Sequence, residues 1–218
     1  MATQTCEDTC YTLEEGHVVL DFINTCYIRW DDDAPYGYEP VEEHLTGLPA
    51  LAGWGAKIGL LDPDEAALLA EAELPGRLED LRELREALRR VFRAHIHGQP
   101  VPEECLDAVN TAIRPVLRYT RIEPAPEGFR VRMDCGGPTG DPSLVLDRIL
   151  WAVSQSAISL LTNNPKELAM VAECPGDDCG YLFRDTSHGR RRWCSMRSCG
   201  NRAKVQRFRH RHREEAVA

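Results

Sequence analysis

The chain has 218 residues, of which 43 % are hydrophobic and 28 % charged, and it carries a net charge of −9. This is enough for one globular domain of ordinary size plus a small appendage. It excludes a membrane span: the longest apolar stretch, 144–161, contains Asp147, Arg148 and Gln155 and reads as a buried helix.

Residues 1–11 are polar and contain Cys6 and Cys10. A helix is expected from about Thr12, with Glu14 and Glu15 placed to complement its N-terminal dipole. Val18, Val19, Phe22, Ile23, Cys26 and Tyr27 continue it as an apolar stripe, and His17, Asp21 and Asn24 share another face. Residues 30–40, WDDDAPYGYEP, read as a loop. Its acidic run is not a calcium loop, because Pro35 replaces a ligand and Tyr36 replaces the turn glycine. A short helix is expected over 48–60, around Trp54. Asp62-Pro63-Asp64-Glu65 is a helix start with a cap, a proline at the first position and following carboxylates. That helix runs to about Glu73, before Pro75-Gly76.

Residues 77–97 give the clearest helix, with Leu78, Leu81, Leu84, Leu88, Val91, Phe92 and Ile96 on one stripe. Arg82/Glu86 and Glu86/Arg90 are expected to pair at i,i+4. His95 and His97 suit a helix C-terminus better than a metal site. Pro102 opens a further helix, carrying Leu106, Val109 and Ile113, that Pro115 should interrupt. Residues 117–123 and 128–133 read as a hairpin turning over 124–127. Asp141-Pro142 caps a long helix to about Thr162, which Asn163-Asn164-Pro165 ends, and 168–173 reads as a strand. The expected fold class is mainly α with a small β-hairpin, divided into 1–165 and 166–218.

The second segment carries the strongest motif. Cys174 and Cys179 have four residues between them, as do Cys194 and Cys199, and fourteen residues separate the pairs. Two tight turns joined by a hairpin would bring four thiolates together, as a structural zinc requires. Pro175, Gly176, Gly180 and Gly200 give those turns suitable chemistry. Two disulfides or four unrelated thiols are the alternative, and the absence of a recognisable secretory leader argues for a reducing, cytoplasmic setting instead. A catalytic zinc would keep an open position, which four thiolates close. Leu182, Phe183, Trp193, Val205 and Phe208 are the expected small core of this finger, which should be treble-clef-like: a hairpin followed by a helix over 200–213. Cys6, Cys10, Cys26 and Cys135 read as isolated structural thiols, against a second metal or redox site.

CGNR at 199–202, preceded by RRWC at 191–194, resembles the bacterial CGNR zinc-finger proteins, and VLDFINT at 19–25 is similar to the signature of the ABATE domain that precedes the finger in that family. The resemblance covers nearly the whole chain. It implies a stress-related transcription regulator that binds DNA, with an N-terminal body that senses an effector.

Charge distribution points the same way. Residues 174–218 carry a net charge of +6, whereas 1–173 carry −15. Arg190, Arg191, Arg192, Arg202, Lys204, Arg207, Arg209, Arg211 and Arg213 are the candidate nucleic-acid contacts. Arginine can grip phosphate in a fork and read guanine edges. Duplex DNA is the expected partner, bound by a homodimer, with RNA as an alternative. A basic face docked on the acidic body is the structural alternative. Asp21, Asn24, Tyr27 and Trp30 are the candidate effector-binding residues, while hydrogen bonding between helices would account equally for Asp21 and Asn24. No nucleotide-binding glycine loop, serine-hydrolase elbow or zinc-protease helix is present, so no catalytic residues are assigned, and a cysteine–histidine pair brought together by folding is the open alternative. An enzyme or small-molecule-binding protein with a merely structural finger is the second functional class.

Overall fold

The computed structural model describes residues 17–217, except 32, 35, 127, 135–139, 177, 178 and 188; along the last helix the side chains of 210, 211 and 213–217 are also outside the description. Cys6, Cys10, Cys135 and the expected helix start at Thr12 therefore lie outside the described residues. The chain runs α1 (Val18–Ile23), β1 (Cys26–Trp30), β2 (Tyr38–Glu43), α2 (Leu48–Lys57), α3 (Pro63–Ala70), α4 (Arg77–Ile96) and α5 (Glu103–Leu117). It continues through β3 (Thr120–Ala125), β4 (Gly128–Met133), α6 (Pro142–Ile158), α7 (Pro165–Leu168), β5 (Val171–Glu173), β6 (Leu182–Arg184) and α8 (Asn201–Val217). The protein is mainly helical, with three separate antiparallel strand pairs among the described residues, β1–β2, β3–β4 and β5–β6.

α1 stops four residues short of its expected stripe, and Cys26 and Tyr27 belong to β1 instead. The cause lies on α4. Arg89 Nη2 donates to the carbonyls of Ile23, at 2.6 Å, and Cys26, at 2.8 Å. Thr25 Oγ1 donates to the Phe22 carbonyl. Helix-end carbonyls that have lost their intrahelical partners are thus satisfied by side chains, and the chain is free to turn. The expected 30–40 loop is correspondingly shorter, because Trp30 pairs with Tyr38 and Ile28 with Pro40 across β1–β2.

Asp62 caps α3 as its sequence requires, accepting from the amides of Asp64 and Glu65, while the Glu65 carboxylate returns to the Asp62 amide. α5 passes through Pro115 to Leu117 instead of ending there. The β3–β4 hairpin takes Pro124 and Ala125 into β3, paired with Phe129 and Gly128. α6 ends in a wider π-type turn, Ser159–Asn163, and Asn164 then caps the short α7, which the Asn-Asn-Pro reading omits.

α6 is the central core helix. Val145, Leu146, Ile149, Val153 and Ala157 are buried among side chains of α1, α3 and α5. By length and hydropathy alone, Pro142–Asn163 could cross a membrane, but its apolar face is taken up by these neighbours. Around it, Phe22, Trp54, Leu81, Leu84, Leu88 and Phe92 form one hydrophobic cluster. The same cluster continues without a break into Tyr181, Leu182 and Phe183, and into Cys174, Cys179 and Cys199. The C-terminal module has no separate core. Val205 and Phe208, expected inside it, are 40 % and 57 % exposed. Both lie on α8, where residues 204–209 are all exposed.

Candidate metal centre and basic helix

The four cysteines converge. Cys174, Cys179, Cys194 and Cys199 place all their sulfurs within 4.8 Å of one another. The Cys179–Cys194 and Cys194–Cys199 separations are 3.7 and 3.6 Å. Four thiolates about 2.3 Å from a central zinc stand about 3.8 Å apart along each tetrahedral edge. A disulfide needs about 2.05 Å. The geometry is that of a metal cage, and all four thiols are free of disulfides.

Local structure builds the cage from both sides. The β5–β6 pair brings Cys174 and Cys179 round, and the Cys174 amide donates to the Tyr181 carbonyl at 2.9 Å. Cys199 lies in a π-type turn, Met196–Gly200, that runs directly into α8, and the Ser195 hydroxyl accepts from the Arg197 amide at its start. Gly176 leaves room for the cage: a Cβ there would lie 2.9 Å from Cys199 Sγ. The Cys194 amide donates to Cys174 Sγ at 3.4 Å, and Arg202 Nη2 approaches Cys199 Sγ at 3.3 Å. A Zn(Cys)₄ centre carries two net negative charges, so donors aimed at the sulfurs stabilise it.

Sharing of protons among the sulfurs splits their acidities. Hydrogen bonds from Cys179 and Cys194 pull the Cys174 thiol well below the usual thiol range. Hydrogen bonding to Cys174 pushes Cys179 well above the usual thiol range and Cys194 up to about 12. Without a cation, one thiolate forms at the expense of its neighbours. A divalent metal removes that competition and favours four thiolates together. The donor set fits structural Zn²⁺.

The comparisons with known proteins agree. Residues 170–212 match the CGNR zinc finger, and residues 16–164 match ABATE, described as "Putative stress-induced transcription regulator". The chain belongs to the ABATE family. No curated protein matches it. The cofactor of the CGNR finger is a structural zinc.

The finger is held on the ABATE body by buried polar contacts that the sequence reading missed. Asn24 Nδ2 donates to the Leu182 carbonyl and Asn24 Oδ1 accepts from the Leu182 amide, both at 2.8 Å. The Asn24 amide thus completes the open edge of β6. Arg89 Nη1 donates to the Gly180 carbonyl at 3.1 Å, beside Cys179. Glu173, next to Cys174, receives Arg93 at 3.0 Å and His97 at 2.8 Å. Gly180 has φ +54°, and a Cβ on it would lie 2.1 Å from Ile28 Cγ1, so the knuckle rests directly on β1.

Arg85 completes this buried group. It reaches Glu43 through two bonds, at 2.7 and 2.5 Å, and Thr25 Oγ1 at 3.2 Å. Burial opposes ionisation of Glu43, but the hydrogen bonds and charge of Arg85 overcome this and hold its carboxyl below the usual range. Burial also pushes the Cys26 thiol up to about 11. The i,i+4 pairs expected of Glu86 do not form. Glu86 instead accepts from Arg85 at 3.0 Å and Tyr38 at 3.2 Å and pairs with Arg89 at 3.4 Å. Arg82 turns to Glu79 and Arg90 to Glu104.

The four candidate effector residues lie in different places. Asp21 and Asn24 are buried in the core. Tyr27 lines a cleft of about 310 Å³ beside Cys179, Cys194 and Arg202. Trp30 lies elsewhere, its ring 4.3 Å from the Arg93 guanidinium.

The nine candidate DNA contacts also divide. Arg191 is structural: it donates to the carbonyls of Arg184, Trp193 and Cys194 and lies 4.5 Å over the Phe183 ring. Arg202 is drawn to Cys199 Sγ. Arg190 bonds the Ser187 carbonyl, and Arg192 lies 5.6 Å from the Trp193 ring. Lys204, Arg207 and Arg209 stand exposed on α8, where Lys204 and Arg209 have no partner among the described residues. Arg207 reaches only the Ala203 carbonyl of its own helix. The side chains of Arg211 and Arg213 lie outside the described residues.

Proposed function

We propose that the protein is a DNA-binding transcription regulator whose reading element is α8, held at one end by the zinc cage, and whose body responds to a small molecule. The exposure of α8 carries this reading. A helix this polar and this exposed normally has a partner that supplies its stabilisation. The sequence of α8, NRAKVQRFRHRHREEAV, is dominated by Arg, Lys and His, and its residues 204–209 are all exposed. Phosphate is the complementary surface, and the +6 charge of residues 174–218 against −15 in the rest limits binding to this end of the molecule. Zinc contributes no chemistry in this reading. The four thiolates anchor the first turn of α8, and Arg202 and Arg191 support the cage.

Exposed Val205 and Phe208 stand three residues apart on α8 and so share one face of the helix. They support a two-fold dimer in which paired helices enter neighbouring half-sites. Full-length zinc-loaded protein titrated against genomic fragments, including its own upstream region, should prefer a small set carrying a two-fold repeat. Binding to every fragment alike, with or without cell extract to supply an effector, contradicts specific regulation.

A further inference from the structure

α4, α5 and α6 enclose a cleft of about 570 Å³ on the body, a size suited to a small ligand. Its floor is apolar: Leu84 and Val116 are almost fully buried, and Ala112 and Leu150 complete it. Its ionisable lining is Asp80, Glu83, Asp107 and Asp147 against Arg77 and Arg118, a balance of −2. The two arginines are engaged, Arg77 with Asp147 at 2.7 Å and Arg118 with the Tyr119 hydroxyl. Asp80, Glu83 and Asp107 have no partner among the described residues.

α5 adds a further acceptor. Pro115 has no amide hydrogen to give to the Thr111 carbonyl one turn earlier, and both residues line the cleft. Asp107, Thr111 and Pro115 lie at i, i+4 and i+8, so the carboxylate and the carbonyl that Pro115 leaves without its usual helical donor occupy one row of the helix. An apolar floor beneath three unpartnered carboxylates and a carbonyl lacking its donor favours a ligand with a hydrocarbon body and a charged donor group. Asp80, Glu83 and Asp107 are exposed, so they attract a cation at the rim where a neutral ligand gains nothing from them and an anion is repelled.

From this we infer that the α4–α5–α6 cleft binds an amphipathic organic cation, an apolar body bearing one protonated amine or guanidinium. The inference rests on reading the body as the sensing part of the molecule, and it is independent of whether α8 binds DNA. The ammonium lies among Asp80, Glu83 and Asp107, near the Thr111 carbonyl, and the hydrocarbon covers Leu84, Ala112, Val116 and Leu150. It is distinct from the residues Asp21, Asn24, Tyr27 and Trp30 expected from the sequence.

The test uses three probes of one shape, phenylbutylamine, phenylbutanol and phenylbutyrate, titrated calorimetrically into the full-length zinc-loaded chain without DNA. The amine should bind at least about tenfold more tightly than the alcohol, and the carboxylate more weakly than either. Neutralising the rim with Asp80→Asn, Glu83→Gln and Asp107→Asn should abolish the difference between amine and alcohol. Ala112→Phe, which fills the floor, should remove binding of both. Amide and methyl spectra of the unmodified chain give a second readout, with the amine shifting Leu84, Val116 and Leu150. Equal affinity for amine and alcohol overturns the inference. So does a preference that survives neutralisation, shifts centred on another part of the chain, or no binding of any probe at millimolar concentration.

Discussion

α4 and α8 are both rich in arginine, and the molecule uses them in opposite ways. On α4, Arg85 and Arg89 are 2 % and 0 % exposed and are bonded to carboxylates, a hydroxyl and backbone carbonyls. On α8, Lys204, Arg207 and Arg209 stand in solvent beyond the zinc cage. The first group joins the body to the finger. The second is available to a partner. Residue type does not distinguish the two roles. A guanidinium buried among oriented acceptors cannot be removed without leaving those acceptors unsatisfied, whereas one in water can be removed at little cost to folding.

The largest stability effect should come from the cage. Cys194→Ser should remove about one equivalent of zinc per chain by elemental analysis. Because the cysteines share the body's core, the whole chain should also lose thermal stability in a single transition. Two separate transitions, with the body's melting unchanged, would mean that finger and body fold independently.

Next comes Arg89→Met, which leaves the Ile23, Cys26 and Gly180 carbonyls buried without their donor. A loss of about 3–5 kcal/mol is expected in urea unfolding. Gly180→Ala attacks the same junction sterically, through its positive φ and the approach to Ile28, and should cost about 2 kcal/mol. Glu43→Gln weakens the Arg85 pair and should cost about 2 kcal/mol at neutral pH. The folded pKa of Glu43 lies below its unfolded value, so its contribution is complete above the ordinary carboxylate range and is lost as pH falls through the folded value. The stability of Glu43→Gln should therefore converge on that of the unmodified chain in acid. A gap that stays constant between neutral pH and about pH 3 would exclude ionic pairing as its source.

Much of this was legible in the sequence. The cysteine spacing marked the cage, the Asp62 capping box and the 77–97 stripe marked two helices, and CGNR and VLDFINT pointed to the family. The zinc ligand set is a local property, because two short turns bring it together. The junction was hidden because its partners lie far apart in the chain: Asn24 meets Leu182, and Arg89 meets Gly180. One signal was present. Arg85, Arg89 and Arg93 recur every four residues on α4, a row of like charges that would repel unless each had an acceptor elsewhere. Glu86, next to that row, was assigned to surface pairs because i,i+4 spacing is visible in sequence and burial is not. Val205 and Phe208 look like core residues because they are apolar, yet both are exposed on α8.

The most direct measurement of the contrast between the two helices is the salt dependence of duplex binding by the unmodified chain and by Lys204→Gln/Arg207→Gln/Arg209→Gln. If these three cations meet phosphate, the triple variant should keep its melting temperature and zinc content. Its affinity should fall for every sequence, and the slope of log affinity against log salt should flatten by about 0.9 per lost contact, or about 3 in all. An unchanged slope and affinity in a folded, zinc-loaded variant would contradict the assignment of α8 as the DNA-binding element.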